Sequence, residues 1–85
     1  MAKVTIYTTP TCVYCKMTKA FFKENNVQYE EKDVSIDRAV ADEMIKKSNQ
    51  MGVPVIDIDG QILVGFDKEG LSRLLNINEK SKNIK

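Results

Sequence analysis

Histidine and tryptophan do not occur in this 85-residue chain, and cysteine occurs only twice. Without histidine there is no Ser-His or Cys-His nucleophile pair and no imidazole to hold a metal. Net charge is almost absent as well. Thirteen Lys and Arg against twelve Asp and Glu leave +1, which argues against a nucleic-acid or membrane-surface partner recruited by global charge. No apolar run approaches the ~18 residues of a membrane span; the longest is Ile62-Leu63-Val64 with Gly65 and Phe66. The first residues carry no secretory apolar segment, so a cytoplasmic setting is expected. What remains is a globular composition, 42% hydrophobic and 29% charged, in a chain long enough for one small core.

Lys3 to Tyr7 is β-branched and aromatic and runs into the breaker cluster Thr8 to Thr11, which reads as a strand and a turn. Cys12 to about Glu24 contains no Gly or Pro and reads as a helix with Thr11 as N-cap and Asn25-Asn26 as its stop. Cys15, Thr18, Lys19 and Phe22 share a face of that helix, while Lys16, Lys19 and Lys23 read as a solvated stripe. Val27 to Val34 is a second strand whose Glu30-Glu31-Lys32-Asp33 suits a sheet edge. Ser35 or Asp37 can cap a second helix to Lys47, with Ile36, Val40 and Met44 on its apolar stripe. Asp59-Gly60 between Val55-Ile56-Asp57-Ile58 and Ile62-Leu63-Val64 is a strong hairpin signal, and Asp67 can cap a last helix bearing Leu71, Leu74 and Leu75. The order β-α-β-α-β-β-α implies an α/β fold: a mixed four-stranded sheet flanked by three helices, its first βαβ unit right-handed and parallel. One domain is expected over residues 1–76, with a polar, fraying tail over 77–85.

The two cysteines, Cys12 and Cys15, form one CxxC. Three apart on a helix, their Cα atoms lie about 5 Å from each other, within reach of a disulfide. An ordinary thiol at ~8.5 is only about 3% thiolate at neutral pH, and a helix N-terminus inside a CxxC favours the thiolate that attacks disulfides. A redox pair is therefore the leading interpretation. A structural disulfide would close too short a loop to constrain the unfolded chain much. A shared iron–sulfur or metal site using Cys12 in a dimer stays open, since one CxxC supplies two of four ligands.

Tyr7, the turn Thr8 to Thr11 and Cys12-Val13-Tyr14-Cys15 resemble a glutaredoxin of the thioredoxin-fold superfamily, and so do Gly52-Val53-Pro54-Val55 and Gly65-Phe66-Asp67. The likeness spans about residues 2–75. It implies a thioredoxin-like fold and a thiol–disulfide oxidoreductase with Cys12 as nucleophile, Cys15 as resolving thiol and Pro54 as a cis proline. It further implies that the Val53 backbone pairs with an extended substrate such as the cysteinyl unit of glutathione. Tyr14 would wall the groove, Gln50 would lie near the glycyl carboxylate, and Asp67 with the Phe66 backbone near the γ-glutamyl end. No tightly bound cofactor and no metal are implied. Glutathione or a thioredoxin reductase would supply electrons to a monomer that reduces protein or glutathione-mixed disulfides.

Four positions depart from the family pattern: Val13 replaces the usual Pro, Thr9 a Lys, Gly52 a Thr, and Lys68 a second Asp. Val13 and Phe66 are similar to redoxins that supply ribonucleotide reductase and are reduced by thioredoxin reductase, although the Trp-Ser-Gly-Phe-Arg signature of that group is missing.

Overall fold

The first strand, β1 (Val4–Thr8), is buried along its whole length, which fits a central strand covered on both faces. In the computed structural model, which describes residues 3–75, β1 lies inside a four-stranded sheet of order β2-β1-β3-β4. Its parallel neighbour β2 (Glu30–Asp33) pairs Thr5 with Glu30 and Thr8 with Asp33. Its antiparallel neighbour β3 (Val55–Ile58) pairs Val4 with Ile58 and Tyr7 with Val55. The hairpin partner β4 (Gln61–Val64) completes the sheet, with Ile58 opposite Gln61. At the tip, Asp59 and Gly60 both take positive φ, 52° and 92°, as the Asp-Gly pair predicts. The Asp57 carboxylate accepts the Gly60 N–H at 2.8 Å. The charged strand β2 is an edge, as expected, but it is only four residues long. Val27 to Tyr29 is outside it, and Val27 and Tyr29 pack on the core from the connection.

Side-chain alternation along the strands divides the core. Val4, Ile6, Ile56 and Ile58 meet Phe21 and Phe22 of α1 (Val13–Glu24) and Leu71 of α3 (Lys68–Leu74). Tyr7 and Val55 meet Met44 of α2 (Arg38–Ser48). Helices α1 and α3 thus cover one face and α2 the other, the mixed-sheet arrangement of a thioredoxin-like fold. Phe22 is fully buried, with its ring 5.1 Å from that of Tyr29; burial of such a side chain contributes about 2 to 3 kcal/mol.

The helix ends show which short polar groups won. Asp37, not Ser35, caps α2, accepting the Ala39 N–H at 3.0 Å, and Asn49 ends that helix in the left-handed region. Ile36 precedes the helix and is 83% exposed; the buried stripe is carried by Met44 with Val40 and Ile45 beside it. Asp67 caps α3, accepting the Gly70 N–H at 3.0 Å. The tail expected over residues 77–85 lies outside the described residues. Among the described residues no helix is long and apolar enough to cross a membrane.

Candidate active site

The chain leaves β1 at Thr8 and turns, the Cys12 N–H donating to the Thr9 carbonyl at 3.3 Å. The residue that caps α1 is Cys12 itself, which corrects the expectation of Thr11. The Cys12 backbone is extended, with φ −84° and ψ 115°, and its sulfur accepts the Cys15 N–H at 3.1 Å. A sulfur here takes the place that a Ser or Asp oxygen usually fills, at the positive end of the helix dipole. Thr11 is one residue too early for its side chain to reach those N–H groups.

The two free thiols are unlike. Cys12 is half-buried and Cys15 is fully buried. Burial pushes the Cys15 thiol up from 9.0 to about 12, with a further upward push from its hydrogen bond to Cys12. The Thr9 N–H and the Lys19 ammonium act in the opposite direction. Cys15 is therefore a protonated thiol beneath Cys12 at neutral pH.

A second segment, 52 to 55, reaches the same spot. Val53-Pro54 is a cis peptide bond, as the resemblance implied, and the Cys12 thiol lies 3.8 Å from the Val53 carbonyl oxygen. Pro54 in turn accepts the Gly65 N–H at 2.8 Å, so the turn after β4 is fastened to the segment that flanks the thiols. Gly65 has φ 82°, a backbone conformation that costs an L side chain, and this turn needs it.

The remaining candidates divide. Tyr14 is 60% exposed on the first turn of α1, next to Val13 at 65%. Phe66 points its ring into the core, edge-on to Phe21 at 6.0 Å; only its backbone belongs to the turn. Asp67 uses its carboxylate on the cap of α3. Gln50 folds onto its own loop: Oε1 accepts the Gly52 N–H at 2.7 Å and Nε2 donates to the Gly52 carbonyl at 2.9 Å. A Cβ at position 52 would meet that Oε1 at 2.9 Å, so Gly52 is matched to the Gln50 clasp. Cys12 meets Cys15 and Val53 directly, with Pro54 next in the chain, and Gly65 joins them through its N–H to Pro54.

Two polar groupings were not anticipated from the sequence. Lys19 is paired with Glu31 at 2.7 Å, and Glu31 also accepts the buried Thr8 hydroxyl at 3.1 Å. The solvated lysine stripe is therefore broken at Lys19, while Lys16 and Lys23 remain exposed. On the opposite face, Tyr7 donates to Glu43 at 2.6 Å, and Lys47 bridges Tyr7 at 3.0 Å and Asp57 at 2.7 Å. Helical spacing of Glu43 and Lys47 gives half of that signal; the partners on strands are too distant in sequence to be seen. Among the described residues no group of three or more Cys, Asp or Glu could hold a metal ion.

A thioredoxin fold with a CxxC capping its first helix beside a cis proline defines a class of thiol redox proteins. The glutaredoxin family model matches residues 4–63. The chain belongs to the glutaredoxin family, whose activity is thiol–disulfide oxidoreduction and needs no tightly bound cofactor. It is 44% identical over 72 residues to a glutaredoxin-like 8.6 kDa protein from the rubredoxin operon of Clostridium pasteurianum, covering 85% of this chain and 96% of that one. The crystal structure of a mutant of the thioredoxin-like protein BC3987 superposes with a TM-score of 0.85 at 40% identity, over 92% of this chain and all of that one. The glutaredoxin-like NrdH-redoxin of Escherichia coli, solved to explain its thioredoxin-like activity profile, superposes at 0.77 with 25% identity over 85% of this chain and 93% of its own.

Proposed function

We propose that this protein reduces protein disulfides through the dithiol pair, with Cys12 as nucleophile and Cys15 as resolving thiol, and that glutathione use is secondary. The observation that carries this reading is the stacked pair of unlike thiols, Cys12 open to a substrate and Cys15 sealed directly beneath it. Cys12 thiolate attacks one sulfur of a substrate disulfide, and the other sulfur leaves with the bonding electron pair and takes a proton. Cys15 then gives its proton to solvent and attacks Cys12 Sγ. The second substrate thiolate leaves, a Cys12–Cys15 disulfide remains, and the substrate has gained two electrons.

The Val53 backbone pairs with the extended substrate, Pro54 shapes that edge, and Tyr14 and Val13 supply exposed apolar contact. Glutathione would meet Gln50, the Phe66 backbone and Asp67. Two of these already have work: Gln50 clasps Gly52 and Asp67 caps α3. Thr9 and Lys68 remove or oppose charge contacts found in the family pattern. Each charge-assisted hydrogen bond lost costs about 1.5 to 3 kcal/mol, or roughly ten- to 150-fold in affinity. The likeness to NrdH-redoxin, with its thioredoxin-like activity profile, supports a thioredoxin reductase as electron source, and the resemblance carried by Val13 and Phe66 makes ribonucleotide reductase the acceptor that follows. The protein acts in the cytoplasm as a monomer. A metal- or cluster-binding role in a dimer would show instead as colour and metal content after purification without oxygen.

The test is turnover of a protein disulfide and of a glutathionylated peptide by the wild type and by Cys15→Ser. The dithiol reading expects the variant to lose protein-disulfide reduction and keep a slow glutathione-coupled activity. Glutathione-coupled rates in Cys15→Ser equal to the wild type's rate on protein disulfides would reverse the assignment of the dominant route.

A further inference from the structure

The resolving step poses a problem that the thiol pair does not solve by itself. Cys15 is fully buried and must become an anion before it can attack Cys12 Sγ. Cys12 lies above, and the loop after β1 presents the Thr9 N–H. From its own helix comes Lys19, one turn further on; from β2 comes Glu31, held against Lys19 at 2.7 Å and against Thr8 at 3.1 Å. The segment around Pro54 offers Cys15 no charged side chain. Lys16 and Lys23 extend into solvent, whereas the Lys19 side chain is only 27% exposed.

We propose that Lys19, anchored by Glu31, is the positioning cation for the resolving thiol: residues four apart on a helix lie side by side, so its ammonium is fixed next to the buried site where Cys15 loses its proton. The proposal rests on Cys15 being the resolving thiol. Glu31 supplies geometry. Its two hydrogen bonds, one to a buried hydroxyl, tie the Lys19 ammonium to the edge of the sheet instead of leaving it free in water. Lys19 and Cys15 interact electrostatically in both directions: the ammonium favours the thiolate, and Cys15 favours the ammonium.

The experiment follows the reduced protein mixed with one equivalent of the aromatic disulfide 5,5′-dithiobis(2-nitrobenzoate). Attack by Cys12 releases one thionitrobenzoate anion in a phase that depends on reagent concentration. Attack by Cys15 on Cys12 Sγ releases the second in a concentration-independent phase. Below its titration the second rate rises with pH as the Cys15 thiolate fraction. A tenfold loss of thiolate slows the attack only about threefold, because the more basic sulfur is the better nucleophile. Lys19→Gln is expected to slow the second phase about threefold between about pH 6 and about pH 9 and to leave the first phase within about twofold. Lys19→Arg restores the second phase, and Lys23→Gln changes neither. A merely structural lysine would alter the melting temperature and not this ratio of phases. Lys19→Met, which keeps the packed stem, takes the place of Lys19→Gln if the latter does not fold. A second phase in Lys19→Gln or Lys19→Met within about twofold of wild type, or both phases slowed alike, overturns the proposal. A second phase that survives undiminished in Cys15→Ser overturns instead the assignment of Cys15, and the role of Lys19 with it.

Discussion

Alkylation of the reduced protein at pH 7 tests the asymmetry of the thiols most directly. With its titration pushed up from 9.0 to about 12 by burial first and the Cys12 hydrogen bond second, Cys15 carries about one thiolate in 100,000 molecules at pH 7. That is about a thousandth of the fraction for a thiol titrating at 9.0. Greater intrinsic nucleophilicity returns about half of this loss on a logarithmic scale, which leaves a slowing of about thirtyfold. Full burial adds a barrier to approach on top of it. Cys12 is half-buried and stands at the exposed end of α1, where a reagent can approach it. Lys3 and Lys16 flank both cysteines, so trypsin leaves them on one peptide and fragmentation between Val13 and Tyr14 separates the labels. Iodoacetamide is expected to mark Cys12 first and Cys15 about thirty times more slowly than a thiol titrating at 9.0, and the Cys15 rate should climb about tenfold per pH unit up to about pH 10. Labelling of both cysteines at the same rate, or of Cys15 first, would refute the reasoning.

The same thiol should leave a mark on stability. Unfolded Cys15 releases its proton near 9.0 while the folded protein keeps it to about 12, so the contribution is complete below about pH 8 and is lost as pH rises. At pH 10 the loss is about 1.4 kcal/mol, and urea unfolding of the reduced wild type should show it relative to Cys15→Ser, in which Tyr7 titrates as it does in the wild type. An unchanged difference between pH 8 and pH 10 would count against it. Lys47 bridges Asp57 at 2.7 Å and Tyr7 at 3.0 Å, and the Asp57 side chain is only 14% exposed. Lys47→Met should therefore lower stability by about 1 to 2 kcal/mol in thermal unfolding, and a melting temperature equal to the wild type's would show that the bridge contributes nothing.

Much of this molecule is legible in short stretches of its sequence because short-range physics decides them. Asp59-Gly60 takes two positive φ values because few other pairs can do so cheaply, and the turn dictates the β3–β4 register. Asp37 and Asp67 cap the helices they precede, and Glu30 to Asp33 mark the sheet edge. The CxxC spacing names the thiols without any knowledge of what surrounds them. Other features depend on where distant residues arrive. Whether Thr11 or Cys12 caps α1 depends on how far the turn after β1 carries the chain, and the structure places Cys12 there. The difference between Cys12 and Cys15 is one of burial, which exists only in the folded chain, and Val53, some forty residues downstream, reaches Cys12 only there. Lys19 looks like any solvated lysine until β2 brings Glu31 to it, and Tyr7 looks like a core aromatic until α2 brings Glu43 and Lys47 to its hydroxyl. Local hydrogen bonds and periodicity act over about four residues and can be read from the chain. Desolvation and ion pairing act between surfaces that meet only when the sheet has formed.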